Sequence, residues 1–328
     1  FRRVLFRSVS FDAAGGSERV QYFTNVNFLH QGSFWKGDSD KYKTDNEKVR
    51  LNFRSNIDVM VNKWIGLYMN LAGSVVKAHT PNGSTAYNSV IYEYMNFMPP
   101  TVYGPVTPEI LDSDGETVLT EGGTVISTVN MVNSPYGLLN RSGYSNTTNT
   151  NIYGQGGLQF DLSFITPGLW AKGSVGYLSY ITANMTTTQS YRRVYRDDDW
   201  SSLNFTQLGS TIDGTLGYGK GTALYGYMSY KGEAGYTRDF GKHHINANAY
   251  AMYQSFIDQT GNYAATYDYR RIYSGIEAVY DFDKRYAVKL STGYSASDYF
   301  PKSTRFLWTP GVSAAWIASN ESFIKENA

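Results

Sequence analysis

Residues 49–61, VRLNFRSNIDVMV, divide with a period of two. The odd positions hold Val49, Leu51, Phe53, Ile57, Val59 and Val61, with Ser55 the one polar member. The even positions hold Arg50, Asn52, Arg54, Asn56, Asp58 and Met60. Side chains alternate across a strand, so this is a strand with a different solvent on each side. Two pairs of solvents satisfy the pattern: a dry protein core and water, or lipid and a wet interior.

The pattern recurs along the chain. Residues 20–30 set Val20, Tyr22, Thr24, Val26 and Phe28 against Gln21, Phe23, Asn25 and Asn27. Residues 64–76 set Ile65, Leu67, Met69, Leu71 and Val75 against Tyr68, Asn70, Ala72 and Ser74. Residues 152–164, 245–254 and 286–294 repeat it, the first with Ile152, Leu158, Phe160, Leu162 and Phe164 on the apolar side. About eleven such segments are legible, each long enough for the roughly 9–11 residues that cross a bilayer as a tilted strand.

The connections alternate as well. Short ones built from Gly, Pro, Asn and Asp fall at 15–18, 62–63, 166–168, 241–243 and 281–284, and read as hairpin turns. Between them lie long stretches at about 31–46, 80–141 and 188–221, then shorter ones near 259–264 and 299–304. Short turns at one end and long loops at the other are the plan of an outer-membrane barrel. The apolar faces are of similar size and interrupted by Ala and Gly, and nothing in the chain supplies a second apolar layer to cover them. A closed barrel in lipid needs no such layer. The fold expected is therefore all-β: an antiparallel transmembrane β-barrel with lipid outside and water inside.

Composition agrees and narrows the chemistry. The 29 Tyr and 32 Gly suit strands, membrane interfaces and turns. No apolar run approaches about 18 residues, so no transmembrane helix is expected. A net charge of +1 gives no field for nucleic acid, and no nucleic-acid partner is expected. The absence of cysteine excludes disulfides, thiolate metal sites and a cysteine nucleophile.

Three segments carry a resemblance: GGSERVQYFTNVNFLHQGSFWKG at 15–37, VRLNFRSNIDVMVNKWIGLYMNLAGSV at 49–75, and PGVSAAWIASNESFIK at 310–325. Residues 50–58, 64–73 and 316–323 reproduce, in order and spacing, an Arg-x-Asn-Phe-Arg-Ser-Asn-x-Asp strand, a Trp-x-x-x-x-x-Asn-x-x-Gly strand, and a Trp followed by a Ser-x-Glu-x-Phe turn. In these the chain resembles the barrel of TonB-dependent transporters, and among them the SusC-like glycan and peptide importers of the Bacteroidetes outer membrane. The resemblance implies twenty-two strands, an amino-terminal plug domain and a TonB box. About eleven strands are legible and the chain ends on IKENA, so the expectation is an internal piece of such a barrel, spanning residues 9–328. Residues 1–8, FRRVLFRS, are expected to be a non-native or disordered start. The resemblance further implies energised import of an oligosaccharide or peptide, a SusD-like surface lipoprotein as partner, TonB acting through the plug, and outer-membrane lipid around the barrel.

No enzyme is expected. GTLGYGKG at 214–221 has Gly221 where a phosphate-binding loop needs Ser or Thr, and it precedes a strand. DSDGE at 112–116 lacks the later ligands of a calcium loop. His30, His79, His243 and His244 show no metal spacing, and the adjacent pair points to opposite faces of a strand. No metal site and no cofactor are expected, with calcium in an acidic loop the one exception to weigh. Asp197, Asp198 and Asp199 offer carboxylates to such an ion or to ligand hydroxyls. The preferred reading of this run is a solvated loop.

The loop aromatics Tyr92, Tyr94, Phe97 and Tyr103 are the candidate ligand or partner contacts, with a short helix expected over 84–97. The preferred reading of these rings is packing of the loop onto its neighbours or onto a partner protein. Arg50, Asn52, Arg54, Asn56 and Asp58 are expected to face the lumen, where the charged ones could pair with one another. Lys231 with Glu233, and Arg271 with Glu277, are further lumen pairs in prospect. Two rival readings remain at this stage: a secreted or surface-exposed soluble β-protein that binds glycans, and a passive outer-membrane porin.

Overall fold

The computed structural model describes residues 6–33, 35–81, 85–98, 104–197, 203–260 and 268–325. Four strands open the chain: β1 (Phe6–Gly16), β2 (Val20–Gln31), β3 (Glu47–Met60) and β4 (Ile65–Pro81). A long insertion follows, with α1 (Thr85–Phe97), the short strands β5 (Ile110–Leu111), β6 (Val118–Thr120) and β7 (Val125–Ile126), and α2 (Pro135–Asn140). Then come β8 (Tyr144–Asp161), β9 (Leu169–Thr188), the short β10 (Arg193–Arg196) and β11 (Phe205–Gln207), and the longest strand, β12 (Gly217–Phe240). The chain continues through β13 (His243–Asp258), β14 (Tyr269–Phe282), β15 (Tyr286–Ser297) and β16 (Phe306–Trp316), and finishes in a 3₁₀ turn (Ala318–Asn320) and α3 (Ser322–Lys325).

The eleven long strands form one antiparallel sheet in the order β1-β2-β3-β4-β8-β9-β12-β13-β14-β15-β16. Each pairs with its sequence neighbours, β1 and β16 are the two edges, and the sheet is a partial barrel wall. Strand β1 begins at Phe6, where Phe6, Arg7 and Ser8 pair with Gln31, His30 and Leu29, ahead of the boundary expected at residue 9. Strand β8 ends at Asp161, so Leu162 and Phe164, expected on its apolar side, lie in the turn to β9. There the Leu162 amide donates to the Leu169 carbonyl and Phe164 meets Trp64 edge-on.

Register carries each face across the sheet unbroken. Phe28 pairs with Leu51 and Leu51 with Val75, while Asn27 pairs with Asn52 and Asn52 with Ser74. On the far half, Tyr236, Ala247, Ala278, Leu290 and Val312 form one row. A slip of one residue would invert every face at once. Among the described residues, only Phe256 and Ala296 of the buried hydrophobic side chains lie on the long strands. The apolar face of the sheet is therefore uncovered: Leu51, Leu67, Leu290 and Val312 are all exposed. That removes the dry shared core that a soluble sandwich requires.

Aromatic residues bracket this face. On β15, Tyr286 and Tyr294 flank Val288, Leu290 and Thr292. The two tyrosines stand about 27 Å apart along the strand, or about 20 Å once tilted, close to the ~25 Å apolar band between aromatic girdles. Tyr294 stacks on Phe306 at 5.7 Å on the loop side, and Trp316 pairs with Tyr286 on the turn side.

The turns at the short end follow from local chemistry. Gly168 has φ +89°, and a Cβ there would collide with the Thr237 carbonyl. Asp283 and Lys284 sit at φ 55° and 54°, and the Lys284 amide donates to Asp281 Oδ1 at 3.0 Å.

Candidate functional site

Strands β8, β9 and β12 run 18, 20 and 24 residues. The longest extends about 80 Å along its axis, well past what a bilayer needs. The excess rises at the long-loop end, where the polar face lines a cavity of about 660 Å³. Its wall is set by register. Ser145 pairs with Thr186, Thr147 with Asn184, and Asn149 with Thr182, all on the face that carries Asn52 and Asn56 lower down. Thr182 Oγ1 donates to Asn149 Oδ1 at 2.9 Å. Tyr180, Lys48, Val76 and Ala78 complete much of the lining. At its margin Glu47 is held by His30 at 2.8 Å and by Lys43. His79 bonds the Lys43 carbonyl at 2.9 Å and Asn146 Oδ1 at 2.7 Å.

The loops around this mouth are packed together. Trp35, Ile91, Leu138 and Leu139 form a buried cluster, with Val90 and Tyr94 against it. Burying a side chain such as Ile91 contributes about 1.5–3 kcal/mol. Strand β7 pairs in parallel with β10, joining the 82–143 and 189–216 loops. Arg192 bridges to Glu121 at 2.6 Å, and Tyr42 donates to Gln189 at 3.3 Å while accepting from the Gly143 amide at 2.9 Å. Burial, the largest influence on it, raises the Tyr42 hydroxyl pKa. Tyr136 donates to Asp38 at 2.7 Å, and burial followed by that bond pushes its pKa up to about 12.

The residues singled out in sequence fall in three places. Tyr92, Tyr94 and Phe97 are on α1, which covers nearly the stretch expected. Tyr94 packs inward, Tyr92 sits 4.8 Å from the Trp35 ring, and Phe97 is 66% exposed. Asp197 accepts from Thr206 at 2.6 Å beside the short β10–β11 pair. Tyr103, Asp198 and Asp199 lie outside the described residues. In DSDGE, Asp114 accepts from the amides of Glu116 and Thr117, spending its carboxylate on the β5–β6 turn.

The third place is the polar face. Arg50, Asn52, Arg54, Asn56 and Asp58 share it on β3. Arg50 donates to Asn52 at 2.7 Å rather than pairing with Asp58, and a ladder continues from Asn52 to Asn27 at 3.3 Å. Beside it, Asn25 bonds Asp12 and Ser10. Lys231 pairs with Glu233 at 2.7 Å as expected. Arg271 does not pair with Glu277. Lys289, diagonal to it on the neighbouring strand β15, reaches Glu277 at 2.8 Å, and Arg271 stacks over Phe256 and Tyr269 instead. Positions 271 and 277 are six residues apart on one strand, whereas cross-strand partners are immediate neighbours. Sequence reasoning missed the cavity wall, although the alternating Thr and Asn of 145–151 and 182–187 were its visible signal.

No family model matches the chain, and no curated protein matches it. Solved transporter structures do resemble it. The RagAB peptide transporter matches with a TM-score of 0.60 at 14% identity, over 98% of this chain and 35% of that one. The RagAB peptide importer in its open-open state gives 0.61 at 16% identity, over 98% and 34%. The outer membrane transporter YddB from Escherichia coli gives 0.51 at 8% identity, over 96% and 36%. The fold is that of an outer-membrane transporter barrel. A sheet of this fold, with an uncovered apolar face between aromatic girdles, belongs in the outer membrane. The chain spans about a third of the length of these transporters.

Proposed function

We propose that this chain is part of the barrel of a TonB-energised, SusC-like importer that brings a bulky nutrient, an oligosaccharide or a peptide, through the outer membrane. One observation carries the reading: a sheet apolar on its uncovered side and hydrogen-bonding on the other, with a polar cavity at the loop end of the second face. Likeness in fold to a peptide importer, over a third of its length, supports it. In this reading a SusD-like surface lipoprotein lids the packed loops and a plug domain transmits the pull of TonB. The barrel binds and guides solute, with no covalent step and no cofactor.

The test is solute uptake by cells carrying the whole gene, measured with and without TonB and with the proton gradient collapsed. Uptake that needs both supports the importer. Uptake that survives loss of either identifies a passive porin instead.

A further inference from the structure

The cations on the polar face of β3 are left without acids. Lys48, Arg50 and Arg54 share that face, and among the described residues none of the three pairs with a carboxylate. Their cross-strand neighbours carry no negative charge. Gln31 and Ala78 flank Lys48, Leu29 and Val76 flank Arg50, and Asn25 and Ala72 flank Arg54. Asp58 lies further down the strand, about 13 Å from Arg54, and Asp12 is engaged by Asn25. Like charges along one face repel, and no acid beside them offsets the repulsion. Arg50 is also held in place. Its Nε donates to Asn52 Oδ1 at 2.7 Å, and Asn52 donates in turn to Asn27 at 3.3 Å. That chain fixes the guanidinium and leaves its two Nη groups, which make no hydrogen bond among the described residues, free to donate.

We infer that the polar face of β3 at the barrel mouth is an anion-binding site, where Lys48 and Arg50 take a carboxylate or phosphate group carried by the solute. A fork of N–H donors matches either group in a bidentate pair. Lys48 stands about 7 Å up the strand from Arg50 and lines the cavity of about 660 Å³. Glu47 is the one carboxylate in that lining, and His30 and Lys43 already engage it. Thr147 and Asn184 of the same lining add uncharged donors beside the cations. A cavity with a positive wall draws anions toward it. This inference rests on the importer reading and adds to it a charge that the solute must carry.

The test uses the purified full-length protein in detergent, titrated calorimetrically with inorganic pyrophosphate, hexagalacturonate and hexaglutamate. The methyl esters of the latter two run beside them as neutral counterparts. At least one anion is expected to bind, at least tenfold tighter than its ester where it has one, and more weakly as salt is added. The anion that binds best separates a phosphate from a carboxylate. Lys48→Met with Arg50→Gln is expected to weaken it at least tenfold, with an unchanged circular dichroism melt. Lys48→Met alone, the second variant, is expected to weaken it at least threefold should the pair fail to assemble. Lys63→Met, at the turn end, should leave binding within twofold of wild type. No binding of any anion, an ester that binds as well as its acid, folded Lys48 and Arg50 variants within twofold of wild type, or an equal loss in Lys63→Met would each overturn the inference. Binding is read without TonB, so the site can fail while the importer reading stands, and the reverse.

Discussion

The indole Nε1 of Trp316 donates to the carboxylate of Glu321 at 3.0 Å. The same carboxylate accepts from the Tyr286 hydroxyl at 2.5 Å and from Arg285 at 3.0 Å. Trp316 and Tyr286 are cross-strand partners in the turn-side aromatic girdle. The Glu of the Ser-x-Glu-x-Phe turn thus ties the end of β16 to the start of β15 and to the β14–β15 turn. The Tyr286 hydroxyl foremost, then Trp316 and Arg285, hold the Glu321 carboxyl below its usual range.

A carboxyl lowered on folding stabilises above its unfolded value, about 4.3, and that contribution is lost as the pH falls through the folded value. Glu321→Gln should therefore lower the urea midpoint of the full-length protein in lipid vesicles at pH 7. The gap from wild type should shrink below pH 4. An equal gap at pH 7 and pH 3 would show that the charge of Glu321 contributes nothing.

Leu290 and Ser291 are adjacent on β15 and face opposite solvents. Leu290→Arg places a charge on the lipid side between the girdles and should cost about 2–4 kcal/mol in vesicle refolding. Ser291→Arg, on the polar face, should cost much less. Equal costs would mean that the apolar face does not meet lipid.

Tyr136 bonds Asp38 at 2.7 Å and accepts from Arg141 at 3.2 Å, joining α2 to the 32–46 loop. Because folding raises its pKa from about 10 to about 12, this contribution is complete below pH 10 and is lost as the pH rises through 12. Tyr136→Phe should cost the rim about 1–2 kcal/mol and remove one late phenolate from the ultraviolet titration. A titration that loses a tyrosine of ordinary pKa instead would place Tyr136 in open solvent.

The sheet was legible because a period of two is a local signal. Each strand's parity could be read alone, and register then had only to align rows such as Phe28, Leu51 and Val75. The turns were legible for the same reason. Pairings were not: Glu277 meets Lys289 because β15 lies opposite in a register that no single strand encodes. Tyr94, Tyr92 and Phe97 look alike in sequence, and only the docking of α2 separates the packed ring from the exposed one. The cavity wall was hidden differently, since Thr and Asn on a polar face pass for ordinary solvated strand until two strands bring them side by side.

The packed and exposed aromatics of α1 should respond differently to truncation. Tyr94 lies against the cluster of Trp35, Ile91, Leu138 and Leu139, so Tyr94→Ala opens a gap in that apolar cluster at the mouth. A loss of about 2 kcal/mol or more is expected locally, visible as faster proteolytic cleavage within 82–143. Phe97 is 66% exposed, so Phe97→Ala should leave cleavage unchanged. If this face of α1 meets a partner lipoprotein or a ligand, Phe97→Ala should instead weaken that association by about 1–2 kcal/mol, roughly five- to thirtyfold. Co-purification of the partner from detergent, and uptake by intact cells, read this directly. Cleavage and association both unchanged in Phe97→Ala would leave Phe97 a solvated ring without a contact role. Cleavage unchanged in Tyr94→Ala would mean that the loops are held by their polar bonds alone.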